Sequence, residues 1–206
     1  MVPVRMSFNV INLFPTPVYH SKVEITPDII EAVNNTEFTR FESEDGDTSV
    51  YKYVLKRPEF KLLRQQIEEH ISNYVRNVIC IDREVPFYIT NSWIVRHNLG
   101  DHAQEHMHWN SVYSGIVYLQ CNNNSGQLRF VRRLTGMVMK PNYTEDNVYN
   151  MNEQSYTPEP EDIVIFPSSL YHSVTASRSE TPRLCLAFNV FWKGVFGETA
   201  IDELII

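Results

Sequence analysis

The chain has 206 residues, of which 43% are hydrophobic and 12% aromatic, so it is long enough to bury one sizeable core. Its net charge of −7 argues against general nucleic-acid binding, because that function needs a basic face. A local exception is formed by Arg129, Arg132 and Arg133, which we interpret as the solvated end of a strand.

The chain contains three cysteines, Cys80, Cys121 and Cys185. They cannot all pair with one another and none has metal-ligand spacing, so we expect buried, reduced thiols in a reducing compartment. The N-terminus lacks the features of a signal peptide, and no apolar stretch approaches the length of a membrane span. The sequence therefore favours a cytoplasmic protein without membrane association, and it leaves a homodimer open.

The first 85 residues predict a mixed α/β cover over the rest of the domain. A short helix should begin at Thr26-Pro27-Asp28, because threonine caps helix N-termini, proline fits the first turn and an acidic residue suits the positive end of the helix dipole. A longer helix is expected over residues 58–78, where apolar residues recur at helical spacing. Its apolar stripe comprises Phe60, Leu63, Ile67, Ile71, Tyr74 and Val78.

Residues 86–193 show the hydrophobic period of strands and predict the β core. The alternation over residues 87–96 predicts one face carrying Phe87, Ile89, Trp93 and Val95. Further strands are expected at 114–121, 127–131 after a turn at 122–126, 162–166, 171–175 and 183–192. Many short strands separated by turn signals indicate an antiparallel barrel or jelly roll. The aperiodic segment 134–160, with Tyr143, Tyr149 and Tyr156, is either a lid over a pocket or a surface insertion.

His106 and His108 are separated by one residue, and a third histidine, His172, follows a buried strand far downstream. Positions i and i+2 share one face of a strand, so the first two imidazoles can bind one ion together. His172 can reach the same ion from a neighbouring strand. The sequence therefore predicts a metal site, whereas His20, His70 and His97 are expected to be structural or superficial.

The last long strand predicts one apolar face and one mixed face. The apolar face carries Leu184, Leu186, Phe188 and Val190, and the mixed face carries Arg183, Cys185, Ala187, Asn189 and Phe191. The mixed face suits the interior of a barrel that holds a polar ligand. An inward arginine needs an anionic partner, and a bound carboxylate would supply it; alternatively, Arg183 reaches solvent at the start of the strand.

The motifs in chain order resemble those of the 2-oxoglutarate/Fe(II)-dependent oxygenases. The resemblance spans residues 13–189 and comprises H-x-H, SGIVYL, GQLRF, DIVIFPSSLYHSV and PRLCLAFN. Together with LFPTPVY near the N-terminus, the order is similar to a branch of these oxygenases found in marine bacteria and their phages.

The resemblance implies a single oxygenase domain over residues 1–206 with a double-stranded β-helix, a mainly β fold of the jelly-roll or cupin-like type with flanking helices. It implies that His106, His108 and His172 bind Fe(II) and that Arg183 binds the far carboxylate of 2-oxoglutarate. We expect Tyr118 and Asn189 to face inward and bind the cosubstrate. The implied reaction consumes O₂ and 2-oxoglutarate, hydroxylates an unknown small-molecule or peptide substrate, and releases succinate and CO₂.

One departure concerns the middle ligand, because the wider superfamily has Asp or Glu where this chain has His108. Alternative ligands are Asn110 in a shifted pair with His108, a carboxylate from Asp101 or Glu105, and His102 in the preceding loop. Two other functions stay open. One is a cupin-like three-histidine metal protein that uses no 2-oxoglutarate. The other is a non-enzymatic jelly-roll module for binding or assembly.

Overall fold

The computed structural model describes residues 8–41, 46–133, 139, 141–197 and 201–206. The larger of its sheets has seven strands. They are β1 (Tyr19–Lys22), β2 (Phe38–Arg40), β3 (Asp47–Ser49), β4 (Phe87–His97), β6 (Tyr113–Gln120), β9 (Asp162–Pro167) and β11 (Arg183–Trp192). Their order across the sheet is β1-β9-β6-β11-β4-β3-β2, and neighbouring strands are antiparallel.

A smaller sheet has four strands, which are β5 (Ala103–His106), β7 (Leu128–Val131), β8 (Glu153–Tyr156) and β10 (Tyr171–Val174). Their order across the sheet is β5-β10-β7-β8. A separate hairpin pairs β12 (Val195–Phe196) with β13 (Leu204–Ile205). The chain thus forms a mainly β, double-stranded β-helix, as the sequence predicts, although it is built from two sheets that do not close into a barrel.

Two helices cover one face of the larger sheet. They are α1 (Pro27–Asn34) and α2 (Lys61–Asn73), with 3-10 turns at Val54–Lys56 and Pro58–Phe60 and a π-helical turn at Tyr74–Val78. Their buried apolar residues join one cluster with those of β4, β6, β9 and β11. Among the described residues, no helix is long and apolar enough to cross a membrane.

Both predicted helices form, with differences at their ends. α1 begins with Pro27 as expected, but the Thr26 side chain makes no capping hydrogen bond. The apolar stripe of α2 is buried through Tyr74, whereas Val78 is half exposed and Val75 is buried instead. The prediction for Val78 is wrong because the π-helical turn widens the spacing after Tyr74 and rotates the following residues.

The predicted alternation along β4 is interrupted by a bulge. β11 pairs Asn189 with Asn91 and then Val190 with Ile89, so Thr90 is the extra residue. Since a bulge shifts the alternation by one position, Ile89 packs with the helix-side cluster while Trp93 lines a cavity on the opposite face. The expectation that Phe87, Ile89, Trp93 and Val95 share one face is therefore wrong.

The strand that follows the turn at 122–126 forms, but it belongs to a different sheet from β6. β7 does not fold back onto β6 but crosses to the smaller sheet, where it pairs with β8 and β10. β8 lies within the predicted 134–160 loop, and its Tyr156 hydroxyl donates a hydrogen bond to the Asp162 carboxylate. Residues 134–138 and 140 lie outside the described residues, so the gating role of the loop stays a prediction.

The cysteines are all free thiols, as expected, but their exposure differs. Cys185 is buried, Cys121 is partly buried and Cys80 is exposed. The prediction of burial is wrong for Cys80, because the backbone there adopts a φ of 61° and leaves the thiol exposed, while the flanking Ile79 and Ile81 pack against the helix-side cluster.

Replacement of Gly115 by alanine should destabilise the fold. Phe188 lies directly opposite Gly115 in the β6–β11 ladder, and an added Cβ would lie 2.2 Å from the Phe188 ring. Overpacking of this kind costs about 1–3 kcal/mol, measurable by urea denaturation. The control is Gly100→Ala, where an added Cβ meets no atom within 4 Å and only the positive φ of 87° opposes it. Equal stabilities of Gly115→Ala and wild type would contradict this packing.

Candidate metal and cosubstrate site

Two strands of the smaller sheet bring the distant histidines together. β5 and β10 are antiparallel neighbours, and their register places His106 directly opposite His172. β5 ends at His106, so His108 lies beyond the strand and does not share its face by simple alternation. The His108 N–H instead donates to the Ser168 carbonyl at 3.0 Å, which ties this loop to the turn between β9 and β10.

The three imidazoles form one compact cluster. His106, His108 and His172 each offer a ring nitrogen, and these atoms lie within 4.8 Å of one another. The Nε2 atoms of His108 and His172 are 3.3 Å apart. His172 is buried, while the other two are partly exposed. The prediction that these three residues meet is thus confirmed, and the cluster has the size of a metal site.

Backbone carbonyls orient two of the rings. His106 Nδ1 lies 2.7 Å from the Gln104 carbonyl, and His172 Nδ1 lies 2.9 Å from the Leu170 carbonyl. Because a carbonyl oxygen can only accept, each Nδ1 must carry the proton and donate it. The Nε2 atom of each neutral ring then keeps its lone pair, which is the tautomer that a metal-binding histidine requires.

Burial keeps two of the imidazoles uncharged. Desolvation, with a smaller contribution from His106, lowers the pKa of His108 to about 4. The same causes in the same order lower the pKa of His172 to about 3, against a weaker opposing effect of the Leu170 carbonyl. A neutral imidazole is the form that binds metal, so His108 and His172 are ready for an ion throughout the physiological pH range.

Arg183 begins β11 and is buried, with 3% of its surface exposed. Its Nε donates to Cys185 Sγ at 3.1 Å, and the guanidinium carbon lies 5.4 Å from the centre of the Tyr118 ring. In the described part of the chain Nη1 has no hydrogen-bond partner and no carboxylate pairs with the guanidinium. The alternative that Arg183 reaches solvent is therefore wrong, because the strand start is enclosed.

Tyr118 and Asn189, the two residues predicted to bind the cosubstrate together with Arg183, differ from each other in their surroundings. Tyr118 is fully buried, and its hydroxyl has no partner among the described residues. Asn189 is on the same side of β11 as Arg183, but its Oδ1 accepts a hydrogen bond from Ser114 at 2.7 Å. Ser114 in turn contacts the Ser168 hydroxyl, so Asn189 is part of a polar network that holds the β9–β10 turn.

The alternative ligands lie outside the three-histidine cluster. Asp101 forms a two-pronged ion pair with Arg40, at 2.6 and 3.0 Å, and Glu105 pairs with Arg133. Asn110 is exposed and adopts a φ of 55°. His102 is not part of the cluster found in the described residues. Within the described residues, none of these alternative ligands joins the cluster of His106, His108 and His172.

The other predicted structural or superficial residues have partners of their own. His20 contacts Asp162 and Tyr156, and His70 contacts Tyr19 and the Lys22 carbonyl. Arg129 forms an ion pair with Glu153. With Arg133 also paired, two of the three arginines of the basic segment are offset by acidic partners.

A cavity of about 650 Å³ joins the histidine cluster and Arg183. Its lining includes residues that sequence reasoning missed: Phe41, Lys52, Asn91 and Trp93. The Trp93 ring centre lies 5.9 Å from that of His108. The Thr90 bulge turns Trp93 inward and could not be read from the pattern, and no sequence signal marks Lys52.

The matched family model carries the description "Putative 2OG-Fe(II) oxygenase" and covers residues 91–189, slightly less than half of the chain. The three histidines and Arg183 lie inside this segment. No curated protein matches the sequence. This segment of the chain is therefore similar to the 2-oxoglutarate/Fe(II) oxygenases, and the fold of the whole chain is similar to that of solved oxygenases of this kind. The marine and phage branch stays a prediction.

Solved structures of similar fold have low sequence identity. The alpha ketoglutarate dependent epimerase SnoN from nogalamycin biosynthesis matches with a TM-score of 0.63 and 14% identity, over 91% of this chain and 83% of that one. HygX from Streptomyces hygroscopicus, solved with nickel, 2-oxoglutarate and hygromycin B, matches with a TM-score of 0.60 and 11% identity, over 85% of this chain and 82% of that one. A prolyl-4-hydroxylase from Pseudomonas putida matches with a TM-score of 0.57 and 12% identity, over 85% of this chain and 92% of that one.

The metal-free protein should lose stability as pH falls below about 6.5. An unfolded histidine has a pKa near 6.5, whereas His108 and His172 have folded values of about 4 and about 3. The unfolded state therefore binds more protons in this window, and stability falls by about 2 kcal/mol per residue at pH 5. The loss of stability between pH 7.5 and pH 5 is measured by urea denaturation. Wild type is compared with the variant in which both His108 and His172 are changed to asparagine. Equal losses in the two proteins would contradict the prediction.

Proposed function

We propose that this protein is an Fe(II)- and 2-oxoglutarate-dependent dioxygenase that hydroxylates a small-molecule or peptide substrate. The observation that carries the proposal is the meeting of two groups in one cavity. One is the cluster of three imidazoles within 4.8 Å of one another, and the other is a buried arginine without a carboxylate partner in the described chain. A metal ion and a dicarboxylate cosubstrate together satisfy both.

The residues present fit the metal. In the proposed role, His106, His108 and His172 hold Fe(II), with Nε2 of His106 and His172 freed by the backbone carbonyls that fix Nδ1. Imidazole nitrogen is a good ligand for Fe(II) as well as for zinc and nickel. The set differs from the usual two histidines and one carboxylate in carrying no negative charge.

The residues also fit 2-oxoglutarate. In the proposed role, Arg183 binds the carboxylate that lies far from the metal, through two parallel N–H donors. Tyr118, whose ring centre lies 5.4 Å from the guanidinium carbon and whose buried hydroxyl has no partner among the described residues, would donate to the same carboxylate. The predicted contact of Asn189 with the cosubstrate has weaker support, because Ser114 already occupies its Oδ1.

The cavity walls orient the reactants and limit water. Ile116, Phe166 and Val174 line the cavity beside His172, and the Phe166 ring centre lies 4.7 Å from that imidazole. When bound, the metal and 2-oxoglutarate supply the oxidative chemistry, in which O₂ is consumed and succinate and CO₂ are released. The protein supplies a low-dielectric enclosure and a fixed direction of approach.

A three-histidine metal protein that uses no 2-oxoglutarate is the second candidate, and the imidazole cluster by itself favours it. Arg183 distinguishes the two, because a simple zinc site has no use for a buried guanidinium in the same cavity. A non-enzymatic jelly-roll module would bind neither Fe(II) nor 2-oxoglutarate. We further propose that residues 1–206 act as a single oxygenase domain, since helices from the first third and the later strands share one hydrophobic cluster.

Changing His106, His108 or His172 to alanine should each weaken Fe(II) binding by more than about a hundredfold, because one of three ligands is lost. Anaerobic equilibrium dialysis measures the affinity, and circular dichroism checks the fold. His102→Ala is the matched control and should bind Fe(II) like wild type.

The variant His108→Asp refines this prediction. A carboxylate at position 108 recreates the two-histidine, one-carboxylate set, so Fe(II) binding should persist. Full Fe(II) affinity in His108→Ala, or complete loss in a folded His108→Asp, would show that His108 is not a ligand.

Arg183→Lys should weaken 2-oxoglutarate binding about ten- to a hundredfold, equivalent to about 1.5–3 kcal/mol, because an ammonium cannot form two parallel hydrogen bonds. Anaerobic titration of the Fe(II) protein, followed by the metal-to-ligand charge-transfer band, measures it. Fe(II) affinity without cosubstrate should not change. The exposed Arg178 supplies the control Arg178→Lys. A variant that melts early and loses Fe(II) and cosubstrate together would assign Arg183 a structural role.

A further inference from the structure

Lys52 is a cavity-lining cation that the proposed roles of metal and cosubstrate do not use. It follows β3, and its carbonyl accepts a hydrogen bond from the Ser92 N–H at 2.9 Å, which fixes its backbone beside β4. Its amine donates to Thr48 Oγ1 at 2.8 Å and to the Ser49 carbonyl at 2.6 Å. The ammonium is therefore held in place by neutral acceptors, and one of its three N–H groups remains for a ligand.

The charge of Lys52 is not balanced by the described protein. Lys52 forms no ion pair within the described ranges, and its side chain is partly buried, which lowers the pKa of its amine. Among the described residues lining the cavity, Glu105 is the one acid, and it pairs with Arg133. A partly buried cation without a counter-charge is costly, and an anionic ligand would offset that cost.

An apolar surface connects Lys52 with the histidine cluster. Trp93 and Val95 lie on the neighbouring strand β4 and line the cavity, and the Trp93 ring approaches His108. Phe41 contributes a further aromatic wall. A molecule that contacts Lys52 at one end and approaches the imidazoles at the other must therefore present an apolar body between them.

Charge balance in the loaded cavity also favours an anion. The cluster contributes three neutral imidazoles, so the two positive charges of Fe(II) and the one of Arg183 exceed by one the two negative charges of 2-oxoglutarate. Lys52 adds a second uncompensated positive charge. This local excess lies within a chain of net charge −7. A singly charged anionic substrate lowers the excess, whereas a cationic one raises it.

We propose that the substrate is a small molecule with an apolar body and a carboxylate-type single negative charge, and that Lys52 binds this charge and directs the apolar body along Trp93 toward the metal site. This substrate assignment rests on the proposed oxygenase function.

The test compares two probes of equal shape, phenylacetate and phenylacetamide, by isothermal titration calorimetry. The full chain is first loaded with Ni(II), which replaces Fe(II) without turnover, and with saturating 2-oxoglutarate so that Arg183 is occupied. Wild type should bind phenylacetate at least about tenfold more tightly than phenylacetamide. Lys52→Met should abolish this preference and Lys52→Arg should retain it. Lys56→Met, which removes an exposed lysine outside this cavity, should behave like wild type.

A second neutral variant, Lys52→Gln, keeps an N–H donor for Thr48 and Ser49 and serves if Lys52→Met does not fold. The proposal would be overturned if wild type bound phenylacetate no more tightly than phenylacetamide. It would also be overturned if a folded neutral variant kept the preference of wild type for phenylacetate. A neutral variant that instead loses 2-oxoglutarate affinity would overturn it too, because Lys52 would then belong to the cosubstrate site. If wild type binds neither Ni(II) nor 2-oxoglutarate, the oxygenase function fails. Phenylacetate and phenylacetamide are then titrated into the unliganded protein. A preference for phenylacetate that depends on Lys52 would still support anion binding by Lys52, and the absence of such a preference would reject it.

Discussion

The enclosed charge of Arg183 is the constraint on which the rest of the site depends. A buried guanidinium normally pairs with a carboxylate, because burial removes the water that would otherwise solvate it. In the described chain its neighbours are a thiol and a phenol ring, which are weak compensation. The protein therefore keeps a cation ready for a ligand, and the stability lost by this arrangement must be supplied by the two sheets and the helix-side cluster.

The histidine cluster complements this charge because its two more deeply buried imidazoles add none. Burial keeps His108 and His172 neutral, and the antiparallel pairing of β5 and β10 holds His106 and His172 face to face. Positive charge thus enters the cavity through the arginine, the lysine and any bound metal. The ligand set carries one negative charge fewer than a site with a carboxylate ligand, and this difference favours anionic partners in the cavity.

Much of this arrangement could be read from the sequence because it depends on local patterns. The alternation in β11 predicted Leu186 in the core and Arg183 on the mixed face, although it left open whether the guanidinium is enclosed or reaches solvent. The spacing of the histidines predicted their meeting, although His108 lies beyond β5 and is held by the turn at Ser168 rather than by strand alternation. Two other features could not be predicted. The bulge at Thr90 is set by pairing with β11, a partner about a hundred residues away. Lys52 reaches the cavity through contacts with β3 and β4 that leave no periodic signal.

The carbonyls of Gln104 and Leu170 have a consequence for how such sites vary between related proteins. They fix the tautomers of His106 and His172 with main-chain atoms, which every amino acid possesses. The side chains at 104 and 170 can therefore change during evolution without altering the proton position on either ring. Only a change in backbone path would disturb it, so orientation of these imidazoles is inherited with the fold and leaves no mark in an alignment of residue types.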